Sequence, residues 1–193
     1  IVLIDSRPEL DYDPNIIVIG SRVIVTSTTV PPTHGQFIST SRTVAVRSDD
    51  HGKTWSKPYE IPMGHRYTAG KINRGIVLRD GTALFGYSWD VKLDKHEKLT
   101  SEGEEDCFAC VMASKDRGTT WNTIARVSTG DRKLPDRQGA INGLDEPALV
   151  ELGDGSIYML CRTGLTNLYE SRSKDGGATW SSAVPSPLTS HNA

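Results

Sequence analysis

The stretch SDDHGKTW, Ser48 to Trp55, is a polar turn that runs into a tryptophan. Its spacing returns twice, as SKDRGTTW (Ser114 to Trp121) and SKDGGATW (Ser173 to Trp180), so the shared pattern is S-x-D-x-G-x-T-W. Asp50 and Asp116 lie 66 positions apart, and Asp116 and Asp175 lie 59 apart. A period near sixty with unrelated filler indicates a modular array in which each unit buries its apolar face against the next.

Within each period the order of strand signals is the same. NIIVIGSRVIVTS joins two apolar runs through Gly20 and Ser21, RGIVLRDGTALFGYS through Asp80 and Gly81, and ALVELGDGSIYMLCR through Asp154 and Gly155. Glycine between two apolar runs supplies the positive φ that a tight turn needs, so each module opens with a β-hairpin. A third run follows (RTVAVRS, CFACVMAS and LYESRS) and enters the repeated turn, after which comes a short polar segment such as SKPYEI. Four strands per unit at a fixed period predict an all-β fold, a β-propeller whose blades pack face to face. The approximate modules are 10–62, 63–127 and 140–186, with no separate second domain. No window sustains the i, i+3, i+4, i+7 apolar pattern of a helix.

The repetition assigns the turn a structural role. A loop between two outer strands has amides that no ladder satisfies. An Asp carboxylate can accept from them, Gly permits the tight backbone, Ser and Thr hydroxyls add local bonds, and Trp buries a large ring. The expected fold device is therefore Ser48, Asp50, Gly52, Thr54 and Trp55 in the first module. Ser114, Asp116, Gly118, Thr120 and Trp121 repeat it, as do Ser173, Asp175, Gly177, Thr179 and Trp180. Calcium loops need more oxygen ligands than these turns offer, and catalysis usually needs one copy. No metal and no cofactor is expected.

Composition narrows the function classes. With 36% hydrophobic and 24% charged residues and a formal net charge of -2, the chain has no basic stripe for nucleic acid. No apolar run approaches the roughly 20 residues that span a bilayer. Three cysteines are too few for a disulfide framework, and Cys107 and Cys110 of CFAC read as small strand residues. The chain opens at Ile1 without a starting Met and closes on TSHNA, and the expectation is a piece of a longer protein.

The S-x-D-x-G-x-T-W turn resembles the Asp box, or BNR repeat, of the sialidase (neuraminidase) superfamily. The likeness covers nearly the whole chain and implies about three blades of a six-bladed propeller, with a pocket at the end of the axis opposite the Asp boxes. Family members are often secreted or periplasmic. The segment DEPALVELGDGSIYMLCR (Asp145 to Arg162) is similar to the sialidase segment in which a Glu before a blade's first strand is followed by an Arg at the end of the second. The resemblance implies that Glu146 is the carboxylate that activates a tyrosine nucleophile and that Arg162 is one of three arginines that hold the substrate carboxylate. Without the motif, Glu146 reads as a solvated loop acid and Arg162 as a partner of Glu151 or another surface acid.

The chemistry fits this pairing. Sialic acid carries a carboxylate on its anomeric carbon, which repels an anionic nucleophile, and sialidases use Tyr instead. A neighbouring Glu can take the phenol proton, while planar guanidinium groups bind the carboxylate bidentately. The substrate class implied is a sialylated or other acidic glycan.

Tyr12 and Asp13 stand before Pro14 where the family's first blade would place an Arg, so the first module is either a second blade or lacks that Arg. Tyr87 and Tyr158 lie in strand runs and read as core. The long excursion SWDVKLDKHEKLTSEGEED (Ser88 to Asp106) leaves the second strand of the second module at the edge expected for Arg162, so Trp89 and Asp90 are candidate substrate contacts beside a charge-rich, solvated loop. Two further readings stand beside the sialidase one: a related propeller enzyme for another acidic sugar, and a non-catalytic propeller that binds glycan or protein.

Overall fold

The computed structural model describes residues 3–30, 32, 42–63, 74–91, 106–129, 144–163 and 165–189, and within these the side chains of 89–91 and 106–108 are not described. Twelve strands form three antiparallel four-stranded sheets. The first holds β1 (Leu10–Ile19), β2 (Arg22–Val30), β3 (Arg42–Ser48) and β4 (Tyr59–Ile61). The second holds β5 (Ile76–Val77), β6 (Ala83–Val91), β7 (Asp106–Ser114) and β8 (Asn122–Val127), and the third β9 (Asp145–Glu151), β10 (Ile157–Arg162), β11 (Asn167–Ser173) and β12 (Val184–Thr189). In each sheet the strands lie in chain order. Among the described residues no helix is long and apolar enough to cross a membrane.

The middle sheet is covered on both faces, which is why its two central strands, β6 and β7, are largely apolar. Ala83, Phe85 and Tyr87 of β6 face the first sheet and share a core with Ile17, Ile24 and Trp121. Leu84 points the other way, into a core with Leu149, Ile157 and Met159 of the third sheet. The Tyr87 hydroxyl shares a 2.9 Å hydrogen bond with Thr123 Oγ1, and burial raises its pKa. Ile16 and Val18 of β1 and Val150 of β9 are exposed, and all three belong to the two outer sheets.

The opening hairpins of the second and third sheets are built with one more residue than the Asp-Gly pair suggests. Leu78 N donates to Thr82 O at 2.8 Å and Gly81 N to Leu78 O at 2.9 Å, and Leu152, Gly155 and Ser156 repeat the pattern. Each is a three-residue loop whose Gly holds positive φ, 87° at Gly81 and 83° at Gly155. Asp80 and Asp154 close the loops by accepting from the amides of Thr82 and Ser156.

Each S-x-D-x-G-x-T-W turn links the third strand of its sheet to the fourth, and the three share one hydrogen-bond plan. The Ser hydroxyl donates to the Asp carboxylate at 2.7 Å in the first two turns and 2.9 Å in the third. The same Ser oxygen accepts from the Gly amide four residues on. Asp50, Asp116 and Asp175 each accept from both the amide and the hydroxyl of the box threonine. These bonds hold all three carboxyl groups well below their ordinary range, with Asp175 lowered to about 2. Trp55 and Trp180 donate Nε1 to the box glycine carbonyl, whereas Trp121 lies in the core, its ring centroid 4.8 Å from that of Phe85.

The turns also set how the sheets stack. A Cβ on Gly118 would stand 2.2 Å from Ile24 Cδ1 of the first sheet, and one on Gly177 would stand 3.3 Å from Leu84 Cδ1 of the second. Ile24 and Leu84 occupy one place in their sheets, the residue after the partner of the box serine. The second and third turns thus seat their glycines on the second strand of the preceding blade. Arg22 and Arg79 bind backbone carbonyls of the next blade at the same end.

Candidate active site opposite the Asp boxes

Strands β9 and β10 pair from Ile157 with Glu151, beside the loop at Asp154, to Arg162 with Asp145 at the far end. The third Asp box lies at the loop end, because Ile157 pairs with Ser173. Asp145, Glu146 and Arg162 are therefore at the edge away from the boxes. Glu151, the other partner weighed for Arg162, is at the loop end and accepts from the Arg79 amide at 3.1 Å.

A bulge places Glu146. Leu160 pairs with Ala148 and Arg162 with Asp145, so β9 carries one residue more than β10 across this interval. Glu146 takes a φ of 50°, in the left-handed region, and Pro147 next to it has no amide to give to the ladder. The Glu146 amide is satisfied across the blade interface by Ser88 Oγ of β6 at 2.8 Å, and by Asp145 Oδ1 at 3.0 Å. Close approach of β9 to β6 depends on Gly86, where a Cβ would stand 2.8 Å from Pro147 O.

Arg162 lies between two carboxylates. Its Nη2 donates to Asp145 Oδ2 at 2.5 Å, and its Nε is 3.3 Å from Glu146 Oε2. The side chains are 25% exposed for Arg162, 16% for Asp145 and 35% for Glu146, so the guanidinium is held from the Asp145 side while Glu146 has the most open carboxylate. Asp145 was not among the candidates from sequence. Two adjacent acids are equivalent there, and the bulge decides which one buries its carboxylate against the arginine.

The first blade repeats this bulge. Tyr12 pairs with Thr28 and Asn15 with Thr26, and Asp13 takes a φ of 50° before Pro14. Asp13 thus holds the place of Glu146, while Thr28 holds that of Arg162. In the second blade the corresponding residue is Ser88, and β6 continues through Trp89 and Asp90 to Val91. The backbone of Trp89 and Asp90 is at the Arg162 edge; their side chains, and the loop 92–105, lie outside the described residues.

Between the innermost strands of the three blades runs a cleft of about 470 Å³, lined by Val18 of β1, residues 74–77 and residues 148–150. It borders the stretch of β9 that leads to Glu146. The buried thiols do not equip this edge for nucleophilic chemistry: burial pushes Cys110 up to about 11 and raises Cys161 as well. Among the described residues no group of three His, Cys, Asp or Glu side chains gathers as a metal site.

The BNR repeat-like domain family matches residues 21–193. A sialidase of Clostridium perfringens is 27% identical over 148 residues, covering 70% of this chain and 33% of that protein. A sialidase of Paraclostridium sordellii is 29% identical over 147 residues, covering 70% of this chain and 31% of that protein. Among solved structures, a Hadza microbial sialidase superposes with a TM-score of 0.66 at 21% identity, covering 93% of this chain and 34% of that one. The chain spans about a third of the length of the curated relatives it matches. It belongs to the BNR repeat-like family of the sialidase superfamily, and its three sheets are blades of that β-propeller.

Proposed function

We propose that this chain carries part of the active site of a retaining glycoside hydrolase that removes terminal sialic acid. The observation that supports this reading best is the contact of Glu146 with Arg162 at the blade edge opposite the Asp boxes. In the proposed reaction a tyrosine, used because the substrate's own carboxylate repels an anionic nucleophile, attacks the anomeric carbon as the glycosidic C–O bond breaks and a general acid protonates the departing oxygen; water then cleaves the glycosyl-tyrosine bond. The tyrosine would come from the length of the relatives that this chain does not span. Glu146 takes the phenol proton as general base, and the bulge with its fixed φ aims that carboxylate. Arg162, kept in place by Asp145, contributes to binding the substrate carboxylate, since a guanidinium has donors for more than one acceptor. Trp89 and Asp90 complete the reading as substrate contacts at the end of β6.

The test is release of sialic acid from an α-linked aryl sialoside by the intact protein, beside Glu146→Gln and Arg162→Ala. The reading expects hydrolysis by the parent and a loss of about 100-fold or more in kcat for Glu146→Gln. Hydrolysis that survives both changes would remove both residues from the site.

A further inference from the structure

The two blade interfaces repeat one set of contacts, so the three sheets can be aligned position by position. The residue paired with the box serine is Val23, Ala83 and Ile157 in turn. One step along, Ile24, Leu84 and Tyr158 share a place on the face toward the next blade, and their first-strand partners are Ile17, Ile76 and Val150. The residues before those, Ile16, Gly75 and Leu149, share a place on the opposite face, because side chains alternate along a strand.

Where two blades meet, these places interlock. A Cβ on Gly75 would stand 2.3 Å from Ile17 Cγ1, and Leu149 belongs to the core against which Ile76 packs. Gly118 sits on Ile24 and Gly177 on Leu84, and both seats are fully buried.

The two end faces have the same parts without their covers. On the third blade Val150 is 46% exposed, and Tyr158, expected in the core, is only half-buried. On the first blade Ile16 is 51% exposed, and a Cβ on Gly52 would meet only its own Trp55. The third blade thus presents a seat without a glycine, and the first a glycine without a seat. The polar groups agree. Arg22 and Arg79 donate to carbonyls of the following blade, whereas the exposed Arg172, 4.8 Å above the Tyr158 ring centroid, makes no guanidinium hydrogen bond with a described residue.

We infer that the first blade of a second copy covers the third blade of this chain. Ile16 of that copy packs on Val150, its Gly52 sits on Tyr158, and Arg172 donates to backbone carbonyls of its first Asp-box turn. The occupant is a second copy because the seat admits a box glycine and this chain itself supplies an unseated one. Burying the two exposed aliphatic faces against each other removes apolar surface from water. The contact is heterologous, so each copy has both halves and association runs head to tail. It is independent of the sialidase reading, which survives its failure.

The experiment is size-exclusion chromatography with light scattering on the 193-residue chain, for the parent, Ile16→Lys, Val150→Lys and an equimolar mixture of the two variants. Both side chains are exposed in the single copy, so either lysine leaves the fold intact, which circular dichroism checks. The expected result is a parent particle of two or more chains and association about 10-fold or more weaker in each variant, since a lysine there must be desolvated. The mixture should associate again, because one variant keeps the Val150 face and the other the Ile16 face. A monomeric parent overturns the inference, as does association that neither lysine weakens. Loss in only one variant, or a mixture that stays monomeric, also overturns it, since like faces would then be pairing.

Discussion

Asp13 and Glu146 occupy the same place in two different blades. Each has a φ of 50°, each precedes a proline, and each is the extra residue of a bulge in the blade's first strand. A side chain in the left-handed region costs of order 1–3 kcal/mol. Glu146→Gly should therefore leave the melting temperature unchanged or raised while abolishing sialoside hydrolysis. A variant that melts well below the parent would mean that the Glu146 side chain supports the fold.

The seat of the second Asp-box glycine sets a contrast. Gly118→Ala pushes a methyl group into Ile24 and holds alanine at a φ of 79°, for a loss of about 2–4 kcal/mol. Gly52→Ala meets nothing nearer than Trp55 at 3.6 Å, so only the backbone term of about 1–2 kcal/mol applies. Denaturant unfolding of the two variants measures the difference. Shortening Ile24 to Ala beside Gly118→Ala should recover part of the loss.

Acid should weaken the blades through their turns. Asp50, Asp116 and Asp175 have lowered pKa values because the box hydroxyls and amides bond the charged form. A depressed carboxyl contributes stability that is present above its ordinary pKa near 4 and is lost as pH falls toward the folded value. For Asp175 that window runs from about pH 4 to about pH 2. Melts across this range should drop steeply in the parent and less steeply in Asp175→Asn.

The buried thiols give a check on packing. Cys110 and Cys161 have raised pKa values and are enclosed, so iodoacetamide at pH 8 should label neither in the folded protein and both after denaturation. Rapid native labelling of Cys110 would indicate that the first two blades separate in solution.

What could be read from sequence follows the range of each interaction. The Asp boxes are closed by hydrogen bonds among the residues of the turn itself, so S-x-D-x-G-x-T-W carries its own geometry. Glu146 and Arg162 could be paired because one hairpin register sets both, and the resemblance supplied the roles. The position of the glycines at Asp80-Gly81 and Asp154-Gly155 was legible, but not the three-residue loop around them. The left-handed bulge before Pro14 and Pro147 was hidden, since an acid followed by proline is compatible with an ordinary extended entry. Asp145 was not legible because the bulge in β9 decides which of two adjacent acids lies against Arg162.

The central claim is retaining cleavage at the Glu146 edge, and its most direct measurement is proton NMR of the sugar released from an aryl α-sialoside by the intact protein. The account predicts that the α-anomer appears first and the β-anomer grows in later by mutarotation, and that Glu146→Gln gives neither on the same timescale. First appearance of the β-anomer, or no release by a folded parent, would contradict it.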